Sequence, residues 1–117
     1  MTADDFESDV RRVAKEWAYI QSVETVDKTD HTTKMRLHVD PGCFVQVYAN
    51  TQKELVSYSL VLNRYRILGR DCEGGIWHRH PYTAPDQHDF SPEGQRVVSL
   101  DEFLSEAQNV LREEGLL

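Results

Sequence analysis

A chain of 117 residues with 39% hydrophobic content supplies one core and is too short for two independent ones. Its apolar runs, such as Leu60 to Leu62 and Val97 to Val98, fall far below the ~20 residues a membrane helix needs. The formal charge of -7 argues against a general nucleic-acid coat protein, because phosphate affinity depends on Lys and Arg, although a local basic patch can still bind RNA.

Phe6, Val10, Val13 and Trp17 recur at helical spacing behind Asp4, Asp5 and Glu7, so residues 3 to 17 are expected to form an amphipathic helix whose acidic start suits the helix dipole. The same acidic start lacks the basic and then apolar character of an export leader, so a cytoplasmic location is expected, with Cys43 and Cys72 as free thiols. Tyr19 to Val26 is rich in β-branched and aromatic residues and reads as a first strand, followed by a polar turn from Asp27 to His31. Met35, Leu37 and Val39 alternate with polar residues up to the Asp40-Pro41-Gly42 turn; Cys43 to Tyr48 and Val56 to Leu62 repeat the alternation. Asn63-Arg64 serves as a tight connection to a shorter fifth strand, Tyr65 to Arg70.

Asp71 to Ile76 contains Gly74-Gly75, and Pro81, Pro85 and Pro92 break regular structure beyond it, which predicts a long His/Pro loop. Ser99 with Glu102 forms a capping-box pattern, and Leu100, Phe103, Leu104, Ala107 and Leu111 make the stripe of a C-terminal helix ending near Gly115. The fold expected is a single α+β domain over 1–117, with an N-terminal helix, an antiparallel meander of about five strands, the loop, and a closing helix.

Chemistry concentrates between Arg64 and Asp89. Trp77-His78-Arg79-His80-Pro81-Tyr82, with His88 and Asp89 downstream and Arg64, Arg66, Arg70 and Asp71 upstream, places three of the five histidines within eleven positions. Extended backbone before Pro81 projects His78 and His80 to one side and Trp77 and Arg79 to the other. Imidazole exchanges protons near neutral pH and guanidinium groups hold phosphate oxygens. A metal-independent endoribonuclease would use His78 and His80 as proton acceptor and donor, Arg66 and Arg79 as phosphate holders, and Trp77, Tyr65 or Tyr82 as base-stacking platforms. Two other readings use the same residues. One is a divalent-metal hydrolase, with zinc for example, having His78, His80 and His88 as ligands; the other is a non-catalytic module whose Arg64 to Arg79 patch binds an acidic partner. Gly74-Gly75 lacks phosphate-loop spacing and is read as a turn only, and Cys72 as an incidental thiol.

Tyr58-Ser59-Leu60-Val61-Leu62, the Arg66 to Asp71 segment, the Trp77 to Tyr82 segment with His88, and the closing helix together resemble the TumE-like family, proposed toxin partners in prokaryotic toxin-antitoxin pairs. The resemblance covers about Leu55 to Leu111. The family's Asp-Asn after the arginine strand stands here as Asp71-Cys72, and the histidines are spaced differently. The resemblance implies an α+β toxin acting on RNA, neutralised by a neighbouring helix-turn-helix antitoxin, with Arg66, Asp71, His78, His80 and His88 as its functional residues; a homodimer is compatible with it.

Overall fold

The computed structural model describes residues 1–117. Helix α1 (Ala3–Ala14) is followed by strands β1 (Ser22–Lys28), β2 (Thr32–Asp40), β3 (Cys43–Asn50), β4 (Leu55–Leu62), β5 (Tyr65–Glu73) and β6 (Ile76–His80), and then by helix α2 (Leu100–Glu113). The strands pair antiparallel in chain order, one six-stranded meander. The α+β architecture expected from the sequence is therefore present, with one strand more than expected.

Both helices begin as their sequences dictate. Thr2 and Asp5, and likewise Ser99 and Glu102, form reciprocal capping boxes that satisfy backbone N–H groups with no partner inside the helix. Helix α1 ends at Ala14 rather than Trp17, because the next aromatics make better contacts out of helical register. The Trp17 indole N–H donates to Asp101 at 2.9 Å, and the Tyr19 hydroxyl donates to the Leu104 carbonyl at 2.6 Å. Those two bonds tie the turn to α2, so the first strand starts at Ser22 instead of Tyr19.

Strand alternation decides which face is buried. Thr33, Met35 and Leu37 of β2, Cys43, Val45, Val47 and Ala49 of β3, and Tyr58 and Leu60 of β4 are buried on the face that carries the helices. Phe6, Val10 and Ala14 of α1 join that core, together with Phe103, Leu104, Ala107 and Leu111 of α2. The intervening residues, including Lys34, Arg36, Phe44, Gln46, Tyr48, Ser57 and Ser59, line the opposite face, are only partly buried, and have no helix over them.

The sixth strand corrects the expectation of a continuous loop from Asp71 onward. Gly74 and Gly75 adopt φ of +58° and +84°, left-handed values that two-residue hairpin turns need and that glycine reaches without strain. That turn extends β5 to Glu73 and folds Ile76–His80 back against it, with Asp71 opposite His78 and Gly69 opposite His80. Pro81, which has no N–H to donate, then ends the strand. Asn63 and Arg64 make the β4–β5 turn with positive φ as well.

Candidate functional site

His78 and His80 point to the uncovered face, while Trp77 lies in the core beside Tyr58 and Arg79 sits opposite the buried Arg70. Strand register then lines up rows across the sheet. One row runs Lys34, Tyr48, Ser57, Asp71, His78; the next runs Arg36, Gln46, Ser59, Gly69, His80. The imidazoles close both rows at the β6 edge.

Two local features bring Arg66 to this place. Between β4 and β5 the register shifts, so that Leu68 faces Leu60 while Arg66 faces Val61. Ile67 is thus the extra residue of a bulge, and it puts Arg66 on the face opposite Leu68, although residues two apart in a regular strand share a face. Gly69 leaves the space that Arg66 and His80 occupy, since a Cβ there would stand 3.3 Å from the Arg66 Cδ and from the His80 Cβ and Cδ2.

The centre is tightly drawn. His78 Nε2 and His80 Nε2 are 3.1 Å apart, and Asp71 Oδ2 lies 3.2 Å from the His80 atom and 3.3 Å from the His78 atom. The Ser57 hydroxyl donates to the other Asp71 oxygen at 2.7 Å. On the far side of the His80 ring, Nδ1 meets the Pro85 carbonyl at 3.0 Å and an Arg66 nitrogen at 3.1 Å. A carbonyl only accepts and a guanidinium only donates, so the two Nδ1 contacts favour opposite tautomers of His80. Burial lowers the His80 pKa from its ordinary value, and the neighbouring Arg66 charge lowers it further, so the ring favours its neutral form.

The loop after β6 completes the cluster. Arg79 and Asp89 exchange two backbone hydrogen bonds at 3.1 and 2.8 Å, and the Asp89 carboxylate accepts from the Arg79 guanidinium at 2.9 Å. This clasp carries His88 to ring-centroid distances of 5.1 Å from His78 and 4.7 Å from His80, with Phe90 packed 5.2 Å from His78. A depression of about 300 Å³ lined by Glu73, Ile76, His78, His88 and Phe90 opens here. His78 and His80 are 6% and 2% exposed and His88 is exposed, so of the three imidazoles His88 has the freest access to a ligand.

Of the residues singled out in the sequence, the structure brings together His78, His80, His88, Asp71 and Arg66. Arg79 stands apart: it lies on the helix side and its charge is spent on Asp89, because alternation along β6 turns it away from the histidines. The two strand histidines are buried rather than surface residues, since the loop folds over them. Trp77 is a core residue, and the Tyr82 hydroxyl donates to Glu114 at 2.7 Å, leaving Tyr65, 74% exposed, as the free aromatic of the three expected to stack bases. Cys72 is buried, and that burial raises its pKa, as for an unreactive thiol. Ser57, not singled out in the sequence, holds Asp71. Gly69, the Pro85 carbonyl and Phe90 also escaped notice, because only the strand register and the loop path show what they touch.

No family model, curated protein or solved structure matches this chain. No helix is long and apolar enough to cross a membrane.

Proposed function

We propose that this is a toxin-like, RNA-acting protein that cleaves phosphodiester bonds at the imidazole cluster. The observation that carries the reading is the convergence of His78, His80, His88, Asp71 and Arg66 at the end of an uncovered sheet face bearing Lys34, Arg36, Phe44 and Tyr48. Arg36 lies 4.5 Å over the Phe44 ring and lines, with Arg64, a cleft of about 460 Å³ on that face. Four strand spacings, ~19 Å, separate Arg36 from His80 across the sheet. Cations that neutralise phosphates and aromatic rings that stack unpaired bases suit a single strand laid along such a surface. The resemblance to the TumE-like family points to the same substrate.

In this reading His88, exposed and beside both buried imidazoles, accepts the proton of a ribose 2′-OH as that oxygen attacks phosphorus. Arg66 holds the non-bridging oxygens as charge develops on them, and the bond to the 5′-oxygen breaks, the departing oxygen taking its proton from solvent water. His78, His80 and Asp71 stand behind them as the fixed polar floor.

Wild-type protein is expected to cut a single-stranded RNA oligonucleotide and to leave DNA of the same sequence intact, since DNA lacks the 2′-OH. His88→Ala and Arg66→Ala are each expected to slow cutting on the order of 10²-fold while leaving the fold unchanged, as both residues are exposed. RNA left intact with and without divalent metal, together with growth unaffected by expression, would contradict the reading. Protection by a neighbouring helix-turn-helix protein, without any RNA cutting by the free chain, would favour the interaction module instead.

A further inference from the structure

Three atoms able to act as ligands meet where β5 and β6 pair. In the tautomer whose Nδ1 proton goes to the Pro85 carbonyl, the one a bound cation would select, the His80 ring presents a bare lone pair at Nε2. That lone pair faces His78 Nε2 and Asp71 Oδ2, and the three atoms form a triangle with edges of 3.1, 3.2 and 3.3 Å. In a tetrahedral site with bonds of about 2.0–2.2 Å, ligand atoms are themselves about 3.3–3.5 Å apart. The triangle needs an outward movement of a few tenths of an ångström at most to hold an ion.

The surroundings suit a cation. Metal-ligating imidazoles commonly donate their second N–H to a carbonyl or carboxylate, and ligating carboxylates are themselves held by hydrogen bonds. The Pro85 carbonyl stands 3.0 Å from His80 Nδ1, where it can take that second N–H, and Asp71 accepts from Ser57 on its second oxygen. Arg66 lies on the Nδ1 side of His80, away from the converging lone pairs. His88 brings a further imidazole nitrogen, within 4.8 Å of those of His78 and His80, and its exposed side chain can turn inward to close that gap. Three nitrogens and one carboxylate oxygen suit zinc and its neighbours, whereas calcium and magnesium prefer sites made of oxygen alone.

We propose that His78, His80 and Asp71, with His88 as the fourth ligand, bind one divalent cation of the zinc class and so fasten the 81–92 loop to the sheet edge. The site goes beyond the RNA-cleaving reading; the cation-bound form engages His88 and so withdraws the base that reading uses, and the site is tested without RNA.

Titrating the purified chain with Zn²⁺ against a chromophoric chelator is expected to show one ion per chain, and Co²⁺ is expected to give the intense visible bands of a tetrahedral site. His78→Ala, His80→Ala and Asp71→Asn should each weaken binding on the order of 10²-fold, with far-UV circular dichroism confirming the fold. Should the buried replacements unfold the chain, His88→Ala remains decisive, because His88 is exposed; it should lower affinity about tenfold and change the Co²⁺ spectrum as water replaces imidazole. Binding below one ion per chain, a weak octahedral Co²⁺ spectrum, or an affinity unaltered in His88→Ala would overturn the proposal. The measurement uses no RNA, so stoichiometric binding by a protein that cuts no RNA supports this site and sinks only the RNA reading. RNA cutting that continues in excess chelator, by a chain that binds no metal, does the reverse.

Discussion

Arg70→Ala is expected to destabilise the protein by roughly 3 kcal/mol, the low end of what breaking a buried ion pair costs. Arg70 is 0% exposed, and its guanidinium makes four hydrogen bonds: to the Glu93 carbonyl at 2.7 Å, to the Glu93 carboxylate at 2.8 Å, and to both Glu106 oxygens at 3.0 and 3.1 Å. One side chain thereby joins β5, the loop and α2. Alanine removes all four bonds and most of a large buried volume. The loss stays near the low end because Glu93 and Glu106 are 50% and 26% exposed at their side chains, so water can take them back. Arg96, at 3.1 Å from Glu93 and 3.8 Å from Glu106, also remains to balance their charge. Arg70→Met, which keeps volume on the helix face, should cost about half as much. Urea denaturation separates the cases, and an alanine variant within about 0.5 kcal/mol of wild type would show that Arg70 is not what holds the loop. Against a total stability of ~5–15 kcal/mol, the expected loss is large.

Gly94→Ala is expected to damage the site more than the fold. A Cβ at residue 94 would lie 2.0 Å from the Asp89 carbonyl oxygen and 2.8 Å from its carbon, so backbone must move. The same Asp89 carbonyl accepts from the Arg79 N–H at 3.1 Å, and its carboxylate pairs with the Arg79 guanidinium. Pushing Asp89 aside therefore opens the clasp that delivers its neighbour, His88, to the other two imidazoles. Overpacking of this kind costs about 1–3 kcal/mol. RNA cutting should fall as far as in His88→Ala, while His78, His80 and Asp71, fixed by β5 and β6, keep their places. A variant that retains wild-type cutting would mean that His88 acts elsewhere or not at all.

Much of the architecture could be read from residue patterns, because alternation and capping are local. Val45 and Val47 on one face, Ser99 with Glu102, and the Leu100 to Leu111 stripe each report their own surroundings. Gly74-Gly75 was a hairpin signal too, but the short strand it initiates is rich in His and Arg and so resembles a loop. The site was half legible. The projection of His78 and His80 to one side follows from extended backbone alone. What residue patterns do not reveal is the bulge at Ile67, which reverses the side of Arg66, or the path of the loop, which buries the two strand histidines and leaves His88 outside. Asp71 is tied to the imidazoles by cross-strand register, and register is a property of the folded sheet rather than of any single stretch of sequence.

The convergence of imidazoles on one centre can be read directly from the ring nitrogens by long-range ¹H–¹⁵N correlation spectroscopy of the histidines, before and after one equivalent of Zn²⁺. With Zn²⁺ the His78 and His80 Nε2 resonances are expected to move together, His80 carrying its proton on Nδ1 and a His88 nitrogen following, while His31 and His38 stay still. A His80 protonated on Nε2, or Zn²⁺ shifts spread equally over all the histidines, would contradict it.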